Sequence, residues 1–123
     1  MMAKDLSQVL SAIIREYDIR GIVGEELTTK LSYCLGRAYA DYARKTNCDT
    51  DGAANVVVGH DCRTASFSLA QALCHGLLDG GMHPLYLGMV ATPIVYYATN
   101  VLKVIGGIAV TGSHNPPEYD GFK

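Results

Sequence analysis

The chain has 123 residues, 49% apolar and 18% charged, with a formal net charge of −2 and a pI near 6.0. That length supports one domain with a real core, and the composition excludes the disordered class. There is no basic field to hold nucleic acid or an anionic membrane, and no apolar stretch nears the roughly 20 residues of a spanning helix, so neither partner is expected.

The N-terminus, M-M-A-K-D-L-S-Q-V-L, lacks the apolar run of a secretory signal. The first element expected is a strand within 13–22 that ends at the polar cluster 18–21. Leu27, Leu31, Cys34, Leu35, Ala38 and Tyr42 then recur at helical spacing. They predict a helix over 29–45, with Thr28 as N-cap and Arg44 and Lys45 where the helix dipole favours cations. Residues 47–55 read as a polar turn, and A-N-V-V-V-G-H-D as a buried strand. A second helix is expected over 66–79, facing inward with Phe67, Ala70, Leu73, Cys74, Leu77 and Leu78 and ended by Gly80 and Gly81. M-H-P-L-Y-L-G-M is a third strand. Thr92 as N-cap and Pro93 at the first helical position start a third helix, and V-I-G-G-I-A-V is a fourth strand.

Strands alternating with helices predict an α/β fold, a mostly parallel sheet with helices on both faces in three layers, α/β/α. Ligands of such sheets sit beyond the carboxyl ends of the strands. Four polar segments are expected there: 18–21, 59–64, 88–93 and 111–117. The fold therefore predicts that Arg20, Asp61, Arg63, Ser113 and His114 converge. No internal repeat, low-complexity tract or linker interrupts the order.

The chain closes on T-G-S-H-N-P-P-E-Y-D-G-F-K. Gly112 permits a backbone nest of N–H groups, and the prolines stiffen the loop. Ser113 would then stand exposed beside donors suited to an anion, with Lys123 supplying a point charge. A surface turn is the competing reading. A serine hydrolase fits poorly, because G-x-S-x-G is absent and His114 is too close in sequence to serve as the base for Ser113. N-C-D-T-D-G (47–52) resembles the start of a calcium loop, but its twelfth position falls on Val58, so it reads as a turn. Dinucleotide and P-loop signatures are absent. His60 and His75 read as structural and His83 as a turn residue. The four cysteines, Cys34, Cys48, Cys62 and Cys74, form no metal or redox pattern and read as the reduced thiols of a cytoplasmic protein.

V-T-G-S-H-N-P-P-E-Y-D-G-F-K resembles the phosphoserine loop of the α-D-phosphohexomutases, most closely their bacterial phosphomannomutase/phosphoglucomutase branch. R-E-Y-D-I-R-G (15–21), V-V-V-G-H-D-C-R-T (56–64) and G-M-V-A-T-P (88–93) are similar to that family's segments in the same order. The resemblance implies that Ser113 carries a phosphate, gives it to a hexose 1- or 6-phosphate to form a bound 1,6-bisphosphate, and takes back the other. It implies that Ser113, through its phosphate, helps to hold a magnesium ion, and that Arg20 and Lys123 flank the transferring group. His114 would support the loop or proton transfer, and Tyr17 would contact the sugar. His60 stands where the family more often has arginine, which would weaken an ion pair to Asp61. T-G-S-H-N-P, G-F-K and Y-D-I-R-G favour mannose and glucose phosphates over glucosamine phosphate. A non-catalytic sugar-phosphate-binding module is the other alternative.

The family enzyme has four domains, and residues 1–123 resemble most of the first. No D-G-D-G-D-R-type carboxylate cluster for magnesium is present. The expectation is therefore an incomplete first domain that carries the nucleophile, is inactive alone and self-associates through its exposed apolar edge.

Overall fold

The computed structural model describes residues 5–46 and 54–123. The chain runs α1 (Leu6–Ile13), β1 (Ile19–Ile22), α2 (Thr29–Thr46), β2 (Asn55–His60), α3 (Ser66–Asp79), β3 (His83–Met89), α4 (Thr92–Val101), β4 (Gly106–Val110) and β5 (Tyr119–Phe122). The strands form one mixed sheet in the order β1-β5-β4-β2-β3. β2 is parallel to both β3 and β4, whereas β5 is antiparallel to both β4 and β1.

The valine run of β2 explains the layers. Val56 and Val58 enter one core with Leu69, Leu73 and Leu77 of α3 and Ala40 and Ala43 of α2. Val57, pointing the other way, meets Val95 and Ala98 of α4. Ile108 and Val110 of β4 join the first core and Ala109 the second. A strand apolar at every position is thus one covered on both faces.

The first strand expected from sequence is divided. Leu6, Val9, Leu10 and Ile13 follow a helical period and form α1, so Ile13 ends a helix and β1 begins only at Ile19. The Asp18–Gly21 cluster therefore opens its strand instead of closing it. It still reaches the loop edge, because Ile19 and Val110 both pair with Phe122, which sets the start of β1 level with the end of β4.

The helix faces also differ. α2 buries Ser32, Gly36, Ala40 and Ala43, while Cys34, Ala38 and Tyr42 are exposed. Leu31 and Leu35 line an apolar groove shared with Leu10 and Ile13 of α1. α3 buries Leu69 and Gly76, whereas Phe67 and Leu78 are about half exposed. The cause is a crossing of backbones: a Cβ on Gly76 would lie 2.1 Å from the Tyr33 carbonyl oxygen, and one on Gly36 2.4 Å from that of Leu73. Small residues make that seam, and Ser32 Oγ ties it by donating to Leu69 O at 2.6 Å.

Element ends are close to expectation. Thr28 Oγ1 caps α2 by accepting from Leu31 N at 3.1 Å. Gly81, at φ +89°, makes the left-handed exit from α3, while Gly80 stays helical. Thr92 and Pro93 both fall inside α4, and Ala91 precedes them without a side-chain cap. His83 is the first residue of β3, in register with Asn55, and not a turn residue. The calcium-loop-like stretch 47–52 lies outside the described residues. Among those described, no helix is long and apolar enough to cross a membrane.

Candidate active site

The segment 111–118 joins β4 to β5 as the tip of an antiparallel hairpin; it does not lead into a helix. Ala109 and Lys123 exchange both backbone hydrogen bonds, at 2.7 and 2.9 Å, and Thr111 N donates to Gly121 O at 2.9 Å. This fold-back brings Lys123 beside Ser113, and its Nζ donates to Ser113 Oγ at 3.3 Å. Ser113 is exposed and adopts φ +53°, the left-handed region that among the described non-glycine residues it alone occupies. That conformation costs about 1–2 kcal/mol and persists because the surrounding loop enforces it.

The enforcement comes from below. Arg63 donates Nη1 to Pro116 O at 2.6 Å and to Tyr119 O at 2.9 Å, and Nη2 to Asn115 O at 2.7 Å and Ser113 O at 3.1 Å. One planar guanidinium thus gathers four carbonyls of the loop. Asp61 holds the other strand of the tip: its Oδ2 accepts from Thr111 Oγ1 at 2.9 Å and Gly112 N at 3.0 Å, and lies 3.5 Å from Arg63 Nε. Its Oδ1 accepts from Arg63 N at 3.0 Å and contacts Ser66 Oγ at 2.5 Å. Burial pushes the Asp61 carboxyl up, but the bonds from Ser66, Arg63, Gly112 and Thr111 outweigh it and hold the group below its ordinary value. Ser66 Oγ also lies 2.6 Å from Oδ2 of the fully buried Asp120.

Two expectations change here. The backbone nest does not form, because Gly112 N is committed to Asp61 and Ser113 N to Thr111 Oγ1 at 3.0 Å. Gly112 is needed for space: a Cβ there would sit 2.1 Å from Arg63 Cζ. The charge available to an anion on Ser113 therefore comes from side chains. His60 does not weaken an ion pair to Asp61, since Arg63 makes that pair. His60 is buried, and its Nδ1–H donates to Asp61 O at 2.8 Å, so Nε2 accepts from the Tyr86 hydroxyl at 2.6 Å. That is the structural role expected of it. His75 is exposed on α3.

The remaining site candidates are placed unevenly. Arg20 Nε pairs with Asp18 Oδ1 at 3.2 Å, and its Nη1 donates to Asn115 Oδ1 at 3.4 Å, so it borders the loop. Asn115 Nδ2 in turn donates to Gly112 O at 2.8 Å. His114 is exposed at the tip and takes no part in the clamp. Tyr17, 88% exposed in the bend before β1, joins neither core. A cleft of about 980 Å³ opens on the other flank of the loop, past Arg63, Thr64, Ser68 and Pro117; Ser113 and Lys123 do not line it. Among the described residues no group of three or more His, Cys, Asp or Glu side chains is placed to hold a metal.

A family model described as phosphoglucomutase/phosphomannomutase, alpha/beta/alpha domain I, matches residues 11–123. The chain belongs to this family. It is 45% identical over 115 residues to the phosphomannomutase/phosphoglucomutase of Pseudomonas aeruginosa, which covers 92% of this chain and 23% of that protein. A Neisseria gonorrhoeae phosphoglucomutase is 40% identical over 118 residues, covering 96% and 25%. The crystal structure of a phosphoglucomutase/phosphomannomutase family protein from Burkholderia thailandensis superposes with a TM-score of 0.81 at 38% identity, over 91% of this chain and 25% of that one. The chain thus spans about a quarter of the length of these relatives and corresponds to domain I of the phosphohexomutase fold.

The hairpin tip and its clamp form one hydrogen-bonded unit. The sequence pointed to Asp61 and Arg63 as neighbours of the loop but not to what they do, and it passed over Thr111, Ser66 and Asp120. Ser66 reads as the first residue of a helix, and nothing in the sequence singles out Asp120. Only the pairing of β5 with β4 puts Asp120 under Ser66.

Proposed function

We propose that this chain supplies the phosphoryl-carrying part of a phosphohexose mutase that interconverts the 1- and 6-phosphates of mannose or glucose. The observation that carries the reading is the exposed Ser113 hydroxyl, held in a left-handed turn by a clamped loop, with Lys123 Nζ at 3.3 Å. A phosphate on Oγ would stand in solvent, where a sugar hydroxyl reaches phosphorus from the side opposite Oγ. The O–P bond forms as the P–Oγ bond breaks, the sugar hydroxyl's proton passes to the departing Oγ to restore the serine hydroxyl, and the sugar becomes a 1,6-bisphosphate. Lys123 offsets the charge that grows on the departing Oγ, and Arg20, tied to Asn115, adds positive charge at the same edge. Return of the other phosphate to Ser113 closes the cycle. His114 and Tyr17 are exposed, which leaves them accessible to a bound sugar.

The names of the relatives support this substrate class. The 123-residue chain alone is expected to lack turnover, because the relatives bring about four times its length to the same reaction. The test is to label the full-length protein containing this chain with hexose 1,6-bisphosphate and map the phosphopeptide. Phosphate on Ser113, lost in Ser113→Ala, is expected. Label elsewhere, or label that survives the substitution, would overturn the proposal.

A further inference from the structure

Ser66 Oγ touches two carboxylates at once, Asp61 Oδ1 at 2.5 Å and Asp120 Oδ2 at 2.6 Å. A hydroxyl has one hydrogen, so it donates to only one of them. The other oxygen pair is too close to persist without a hydrogen between the atoms. One carboxyl must therefore carry a proton, and the remaining bonds decide which. Both oxygens of Asp61 already accept from obligate N–H donors, Arg63 N on Oδ1 and Gly112 N on Oδ2. On Asp120 only Oδ1 does so, from Gly121 N at 2.9 Å; Oδ2 faces Ser66 alone.

We infer that Asp120 is a neutral carboxylic acid in the folded chain. Its Oδ2–H donates to Ser66 Oγ, whose own hydrogen goes to Asp61. The three side chains form a one-way relay that fixes the carboxylate clamping Thr111 and Gly112. Asp120 is thereby a positioning residue for Ser113, acting through Ser66 and Asp61 without reaching the reacting atoms. The relay stands on hydrogen-bond accounting; its bearing on phosphate transfer rests on the Ser113 reading above.

The surroundings agree. Burial pushes the Asp120 carboxyl up from its ordinary value and the negative charge of Asp61 adds to the rise, while Ser66, Gly121 N–H and Arg63 pull the other way. Those two charged groups, Asp61 and Arg63, face it from the β2–α3 connection. α3 presents Ser66, and β1 presents Gly21 in register, with Glu26 behind it bonded to Ile22 N. A carboxyl whose folded pKa lies above its unfolded one stabilises the fold fully below the unfolded value. That contribution is lost as pH rises through the folded value. Ionised Asp120 would leave two anions sharing one hydroxyl hydrogen, and the clamp would loosen on the alkaline side.

The test is a carboxyl ¹³C and amide NMR titration of the 123-residue chain, in wild type, Asp120→Asn and Ser66→Ala. Asp120 is expected to titrate above the ordinary carboxylate value of about 4, and the Gly112 amide to follow the same midpoint. Asparagine, a permanent donor at that position, should abolish the Gly112 response, as should alanine at 66. An ordinary midpoint for Asp120, or a Gly112 response that survives either substitution, would overturn the inference. No phosphoryl transfer enters the measurement, so a Ser113 that never takes phosphate would leave the relay standing.

Discussion

Replacing Arg63 by methionine keeps most of the stem's volume and removes the guanidinium. Four carbonyls lose a donor, but not at equal cost. Those of Pro116 and Ser113 lie on the exposed side and are re-solvated. Those of Asn115 and Tyr119 are partly buried and are left unpaired. At roughly 1.5 kcal/mol for each lost bond to a charged donor, these two give about 3 kcal/mol. The contact with Asp61 adds little, since that carboxylate keeps its other donors. A loss of about 3 kcal/mol is roughly a hundredfold in the unfolding equilibrium, set against the 5–15 kcal/mol typical of a domain. Urea unfolding at neutral pH reads the loss, and hydrogen exchange at Gly112, Ser113 and Asn115 reads its location. Lys45→Met, on the exposed end of α2, should leave the midpoint in place. A loss below about 1 kcal/mol, or one that leaves exchange in the loop unchanged, would show that Arg63 does not hold the loop.

The other expectations concern the seam, the acid limb and the thiols. Gly76→Ala drives a methyl into the Tyr33 carbonyl, and should cost about 2–3 kcal/mol in thermal unfolding as α2 and α3 part. Asp61→Asn removes a carboxylate whose folded pKa is lowered, so the wild type should lose stability as pH falls below about 4 through that lowered value. The variant should lack this component in a pH series of melting temperatures. Burial pushes the Cys74 thiol up to about 11, so at mildly alkaline pH iodoacetamide should modify the exposed Cys34 and Cys62 first, as read by peptide mass mapping.

Helical spacing, short apolar runs and local end signals located α2, α3, α4, β2, β3 and β4. The valines of β2 announced a strand covered on both faces. Thr28 and Gly81 announced helix ends, because their local chemistry is the reason helices start and stop there. The T-G-S-H-N-P-P segment announced an exposed, stiffened serine for the same local reason.

What the sequence left open was decided by contacts between distant residues. The inward faces of α2 and α3 follow the two glycines at which their backbones cross, and no count of large apolar residues shows where two helices will meet. β5 is four residues of weak strand character, and it is a strand because β1 and β4 offer it ladders on both sides. From that one pairing comes the hairpin that returns Lys123 to Ser113. The same pairing buries Asp120 beneath Ser66 and closes the loop over Arg63. The serine was legible in the sequence, but the groups that hold it come from three separate segments, and only the folded sheet brings them together.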